Sequence, residues 1–311
     1  FPIFKKILMK TIHNYLPTVA LLSMSFMLVS CLRLDSNLYN TSEKITEYKW
    51  DKYAGDKDFV LDESFKIQDS NHAVFTLQSK GEGDDKSYKI YATYLGNMAN
   101  IATDTVILYC HGNKWHMDFY WQRAKLLAHV GSKHRFGVMM LDYRGYGLSE
   151  GEPTEAGLYN DVDAAMQWLK SRGLNDNRLI IYGFSMGSAP TCELSANPRS
   201  MRPHKLFLEA PFGSAAIMAA DGAGLALPAS FVTNLKIDNA EEIKKVTQDL
   251  CWIHGTQDLF LNIKTHGEVV FKNHAGVYKE AHRINGADHG TVPATMGFAA
   301  YLKVIEDFLV R

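Results

Sequence analysis

Cysteine is scarce in this chain: 311 residues contain four. Cys31 stands near the N-terminus, while Cys110, Cys192 and Cys251 fall at a strand end, in a helix and in a strand. The odd number of these last three argues against a disulfide framework, and buried free thiols are the expectation. An excess of one charge is missing too. Basic and acidic residues number 33 and 34, and the basic ones are scattered, without the arginine-rich stripe that nucleic-acid binding requires. The apolar stretch from Leu16 to Val29 is shorter than the about 20 residues of a membrane-spanning helix. No set of histidines, cysteines and carboxylates has ligand spacing, so neither a metal nor a cofactor is implied. What the chain does have is 46% hydrophobic residues, ample for a real core and incompatible with disorder over most of its length.

The N-terminus combines Lys5, Lys6 and Lys10 with the apolar stretch and then Leu28-Val29-Ser30-Cys31. A basic region, an apolar region and a small residue before a cleavage point describe a secretory signal over 1–30. The last four residues resemble the lipobox of bacterial lipoproteins. That resemblance implies a lipidated Cys31 as first residue of the mature chain, attached to a membrane of a bacterial cell envelope. Residues 31–60 are polar and without a clear period, which reads as a tether between lipid and domain. The domain itself is expected over 61–311.

From Phe65 to Leu95, the alternating stretches Ala73–Leu77 and Tyr88–Tyr94, joined by Gly81-Glu-Gly-Asp-Asp85, predict an antiparallel hairpin. Continuous apolar runs follow at Thr105–Cys110, Phe136–Leu141, Leu179–Tyr182, Lys205–Leu208, Asp249–Ile253 and Lys279–Ile284. Between them Leu158, Val162, Ala165, Met166 and Leu169 recur at helical spacing, with Thr154 as an N-cap, as do Phe298, Leu302, Ile305 and Leu309. This alternation predicts an α/β fold: a mostly parallel sheet with helices on both faces. Working groups gather at the carboxyl ends of such strands.

The stretch at the centre of the chain is Gly183-Phe184-Ser185-Met186-Gly187, between a buried-strand pattern and a helix predicted over Ser188–Asn197. A serine on so sharp a turn projects its hydroxyl from the sheet, and glycines two residues either side keep backbone from colliding there. That geometry suits a nucleophile. Other strand ends carry His111-Gly112-Asn113, Asp142-Tyr143-Arg144-Gly145-Tyr146-Gly147, His254-Gly255-Thr256-Gln257-Asp258 and Ala287-Asp288-His289-Gly290. With these motifs in this order, the chain from about Phe65 to Arg311 resembles an alpha/beta-hydrolase of the abhydrolase-domain and serine-aminopeptidase-like branch of serine hydrolases.

The resemblance implies a chain order of serine, acid and histidine, carried onto Ser185, Asp258 and His289. Among 12 histidines, His289 alone follows the last strand in a turn sequence, which marks it as the base. Glu209, at the end of the preceding strand, and Asp288 compete with Asp258 for the acid. His111 and His254 are expected to support loops, and Asp142 and Arg144 to form a scaffold through a salt bridge or backbone hydrogen bonds. The oxyanion donors implied are the main-chain N–H of Met186 and, by resemblance, of Asn113. The apolar connection 213–235 is expected to form a small cap, with Leu225 and Ala219 facing an acyl pocket shared with Trp115, Phe119, Tyr120 and Trp121. The implied activity is cleavage of carboxylic esters through an acyl-serine, on small-molecule or lipid-like substrates. Peptide or thioester cleavage uses the same groups, and a lipid-anchored binding protein without turnover is the alternative of another class.

Overall fold

The computed structural model describes residues 38–83, 86–131, 136–223 and 234–311. The signal reading over 1–30, the lipidation at Cys31 and the pocket role of Leu225 lie outside the described residues, and the Ala219 side chain is not described. No helix among the described residues is long and apolar enough to cross a membrane.

Eight strands form one sheet in the order β1-β2-β4-β3-β5-β6-β7-β8. The strands β1 (His72–Lys80) and β2 (Ser87–Leu95) make the hairpin, antiparallel with His72 opposite Leu95. β2 also runs antiparallel to β4 (Phe136–Leu141). From there β4, β3 (Thr105–Cys110), β5 (Leu179–Phe184), β6 (Lys205–Glu209), β7 (Asp249–Gly255) and β8 (Lys279–Ile284) are parallel neighbours. Every residue of β5 and β6 is buried, as a parallel strand covered on both faces requires.

The pleat divides the apolar residues between two cores. Leu108, Cys110, Ile181, Leu206 and Leu208 pack on one face with helices α2 (Glu155–Ser171) and α3 (Ser188–Ala196). Ile107, Tyr109, Ile180, Tyr182 and Phe207 pack on the other with α1 (Met117–Ala128) and α8 (Phe298–Val310). Thr154 caps α2 by accepting a bond from the Gly157 N–H at 3.0 Å. The helices α4 (Ala215–Ala223), α5 (Asn239–Glu242), α6 (Gly267–Asn273) and α7 (Val292–Met296) complete the order. Cys110, Cys192 and Cys251 are free and buried, and burial pushes the Cys110 thiol up to about 12.

The tether expectation fails from residue 38 onward. Leu38, Tyr53, Phe59 and Leu61 are buried, and 38–61 straps across α1. Asp118, in the first turn of α1, accepts the N–H groups of Lys49 and Trp50 at 2.8 and 2.7 Å. Gln122 accepts the N–H of Leu61 at 3.1 Å, and Tyr48 donates to Asp142 at 2.6 Å. The anchors follow no period of 2 or 3.6 because, apart from a single 3-10 turn at Trp50–Lys52, the strap is irregular, and side chains of the domain satisfy part of its backbone instead.

Candidate active site

The serine turn sits where β5 meets α3. Ser185 has φ +52°, a left-handed conformation uncommon for a residue with a side chain, and it is 4% exposed. Its flanking glycines answer to close approach. A Cβ on Gly187 would lie 1.9 Å from the carbonyl oxygen of Cys110, and one on Gly183 would lie 2.6 Å from Thr191 Oγ1. The turn is therefore pressed onto the end of β3, and the Ser188 hydroxyl ties it down by donating to the Ser185 carbonyl at 2.6 Å.

Three side chains far apart in sequence meet there. The Ser185 hydroxyl lies 2.9 Å from His289 Nε2, and His289 Nδ1 lies 2.8 Å from Asp258 Oδ2. An ionised carboxylate only accepts, so Nδ1 carries the proton and Nε2 accepts a hydrogen bond from the serine hydroxyl. Asp258 follows β7 and His289 follows β8, and the two loops are sewn together. Gln257 N–H donates to the Ala287 carbonyl at 3.0 Å, and Leu259 N–H to Asp288 Oδ1 at 3.0 Å. Gly255 permits this, since a Cβ there would stand 2.2 Å from the Ala287 oxygen. The imidazole is held between Phe184 and Phe260, at centroid distances of 5.2 and 5.0 Å.

Asp258 Oδ1 accepts the N–H groups of Phe260 and Leu261 at 2.9 and 2.7 Å. Burial pushes this carboxyl up, but bonds from His254 and His289 outweigh it and hold the group well below the usual carboxylate range. His254 therefore does more than support its loop: Nε2 lies 2.9 Å from Asp258 Oδ2. The four-residue spacing of His254 and Asp258 was the available signal for it.

The other acids are placed elsewhere. Glu209 is fully buried against Arg123, Tyr182 and Tyr301, and Asp288 braces the Asp258 loop. Asp142 and Arg144 do not pair with each other. Arg144 binds Asp161 at 2.8 Å, and Asp142 faces His111 Nε2 at 3.3 Å.

A cleft of about 550 Å³ opens onto Ser185 and His289. Asn113, Phe119 and Tyr120 line it, together with Asn40, Lys57 and Asp58 from the strap, which sequence reasoning missed. Asn113 is fixed by its carbonyl, which accepts Asn40 N–H at 3.2 Å. Met186 follows the serine in the turn, its side chain buried. Trp115 meets Phe119 edge-on at 5.1 Å and is not among the lining residues. Trp121 departs from the pocket expectation altogether: it packs on Trp50 at 5.0 Å and donates to Asp51 at 2.9 Å, because it projects from the strap side of α1. Of the connection 213–235, α4 is described, and its stem closes by a bridge between Ser214 and Asp238.

This sheet, with a serine on the β5 turn, is the fold of the alpha/beta hydrolases, and the chain belongs to that superfamily. The model of one of its families, described as serine aminopeptidase, S33, matches residues 102–251. Alpha/beta hydrolase domain-containing protein 17C of Mus musculus is 29% identical over 206 residues, covering 65% of this chain and 59% of the relative. Protein 17B of Homo sapiens is 30% identical over 206 residues, covering 65% of each. The match thus spans under two thirds of these relatives' own length. Among solved structures, an esterase of Pyrococcus furiosus has a TM-score of 0.62 at 15% identity, covering 88% of this chain and 97% of that one. Est1E of Butyrivibrio proteoclasticus, solved with ferulic acid bound, has 0.57 at 16% identity, covering 73% and 96%. At such identities the likeness concerns the fold.

Proposed function

We propose that the chain is a serine hydrolase that cleaves carboxylic esters through an acyl-Ser185 intermediate. The observation that carries this reading is the unbroken relay from the Ser185 hydroxyl through His289 to Asp258. Ser185 Oγ attacks the ester carbonyl while His289 Nε2 takes its proton, and Asp258 stabilises the imidazolium. The carbonyl oxygen becomes an oxyanion, which the N–H groups of Met186 and Asn113 receive, each worth about 3 kcal/mol. The imidazolium then protonates the departing alcohol. Water, deprotonated by His289, attacks the acyl-serine, and the collapsing intermediate releases the acid and restores Ser185. The cleft's aromatic walls, Phe119, Tyr120 and Phe260, suit an apolar acyl group, and its volume falls in the range of small-molecule sites.

Fluorophosphonate labelling of the wild type but not of Ser185→Ala, with turnover on an ester panel, is the expected result. A wild type that neither labels nor turns over would leave the binding-protein reading. The matched family model favours one second reading, cleavage of aminoacyl substrates, and arylamides beside esters in the panel separate the two. For the residues before 38 we infer, from the sequence motif alone, a lipid anchor at Cys31 in a bacterial envelope. Replacing Cys31 with Ser is expected to release the protein from membranes, and retention there counts against the anchor.

A further inference from the structure

The bond from His254 assigns a task to a residue that the relay does not use. Asp258 has four donors on two oxygens. Backbone N–H groups of Phe260 and Leu261 hold Oδ1, while His289 and His254 share Oδ2 at 2.8 and 2.9 Å. Among the described residues, the one other partner that His254 Nε2 faces besides Asp258 is the Leu261 carbonyl, at 3.2 Å. Both partners are acceptors, so Nε2 is the protonated nitrogen. Nδ1 has no hydrogen-bond partner among the described residues. The ring is fully buried and boxed in: a Cβ on Gly267 would stand 2.3 Å from Nδ1, and the Trp252 ring crosses it edge-on at 5.9 Å. A side chain so confined, with its one donor aimed at the oxygen that His289 uses, has a defined geometric effect on that oxygen.

We propose that His254 is a positioning residue for the hydrolase reaction, orienting the Asp258 carboxylate toward His289 and limiting how strongly Asp258 holds the His289 proton. The inference rests on the serine-hydrolase reading. With two donors on Oδ2, neither hydrogen bond takes the oxygen's full charge. Removing the His254 donor leaves Oδ2 more basic toward His289, so the imidazole becomes harder to deprotonate and the acid limb of the rate profile moves to higher pH. The other titratable groups around His254 are fixed. His266 accepts Gly213 N–H at 2.9 Å and faces Asp221 at 3.2 Å, Glu268 is paired with Arg283, and Asp288 braces Leu259.

The test measures fluorophosphonate labelling of Ser185 against pH in the full chain, which needs no knowledge of the substrate, with kcat and KM on any ester the wild type turns over. His254→Met removes the donor and keeps bulk; His254→Gln keeps an N–H in reach of Oδ2. The Met variant is expected to label and turn over about ten- to hundredfold more slowly, with the acid limb shifted upward and KM within about threefold. Gln is expected to restore the limb and to recover rate to within about threefold of wild type. Should the Met variant not fold, His254→Asn, whose amide is too short to reach Oδ2, takes its place. A donorless variant with the wild-type rate, one slowed without a shifted limb, or a Gln variant as impaired as Met, overturns the proposal. A wild type that does not label overturns the hydrolase reading instead.

Discussion

Two buried carboxylates stand at the carboxyl ends of adjacent strands, Glu209 on β6 and Asp258 just past β7, and they have opposite surroundings. Glu209 is matched to fixed donors: Arg123 Nη1 at 2.7 and 2.8 Å, and the hydroxyls of Tyr182 and Tyr301. Burial alone would pull the Arg123 guanidinium down, yet Glu209 beside it raises it well above its usual range. Proton exchange has no place in such a cluster, because arginine does not give up its proton. Asp258 is matched to two backbone N–H groups and two imidazoles. An imidazole next to it gains a proton during the proposed reaction, and the carboxylate's charge is what meets it. Position at a strand end does not separate the two acids; the ionisation chemistry of their partners does.

Asp258→Asn should break the comparison most visibly. The amide keeps the shape but presents a donor or a weaker acceptor to His289, favouring the wrong tautomer, and kcat is expected to fall about 10⁴-fold with the fold intact. Steady-state rates together with a melting curve check this. A rate within tenfold of wild type would return the role of acid to another residue.

The complementary change, Glu209→Gln, is expected to act on stability. It leaves the Arg123 charge buried without its main counter-ion, a loss of about 3–5 kcal/mol by analogy with broken buried pairs, read from a denaturant midpoint at unchanged slope. Its kcat per folded molecule should fall far less than that of Asp258→Asn. If turnover collapsed with stability unaltered, Glu209 would belong to the reaction after all.

How much of this the sequence discloses follows from how local each signal is. The alternation in β1 and β2, the continuous apolar runs of β3 to β7 and the glycine-flanked Ser185 are patterns within ten residues, and the structure shows each element there. Asp258 and His289 each sit in a turn directly after a strand, so strand order alone brings them to one edge. Arg123 and Glu209 are 86 positions apart, and an arginine on a helix ordinarily reads as a solvated charge; nothing near either residue announces the other. The strap escapes for a different reason. Tyr48, Trp50, Tyr53 and Phe59 are apolar anchors at irregular intervals, and periodicity detects only segments that repeat. The asymmetry is physical: regular elements write their burial into spacing, whereas irregular segments write it into partners elsewhere in the chain.

Asp58 sharpens the comparison at the small end, because it offers Arg123 a second carboxylate of a different kind. Arg123 Nη2 donates to Asp58 Oδ2 at 3.2 Å and to the Gly290 carbonyl at 3.1 Å, so one guanidinium joins the strap, strand β6 and the residue after His289. The Asp58 side chain is 21% exposed where that of Glu209 is fully buried, and water screens its share of the charge. Asp58→Asn keeps an oxygen in reach of Nη2 and removes only that screened attraction, which for partly exposed pairs is about 0.5–1 kcal/mol. The melting temperature should drop by about 2 °C at low salt and by less at high ionic strength. A drop matching that of Glu209→Gln would mean that the strap's charge, and not the strand's, is what keeps Arg123 in place.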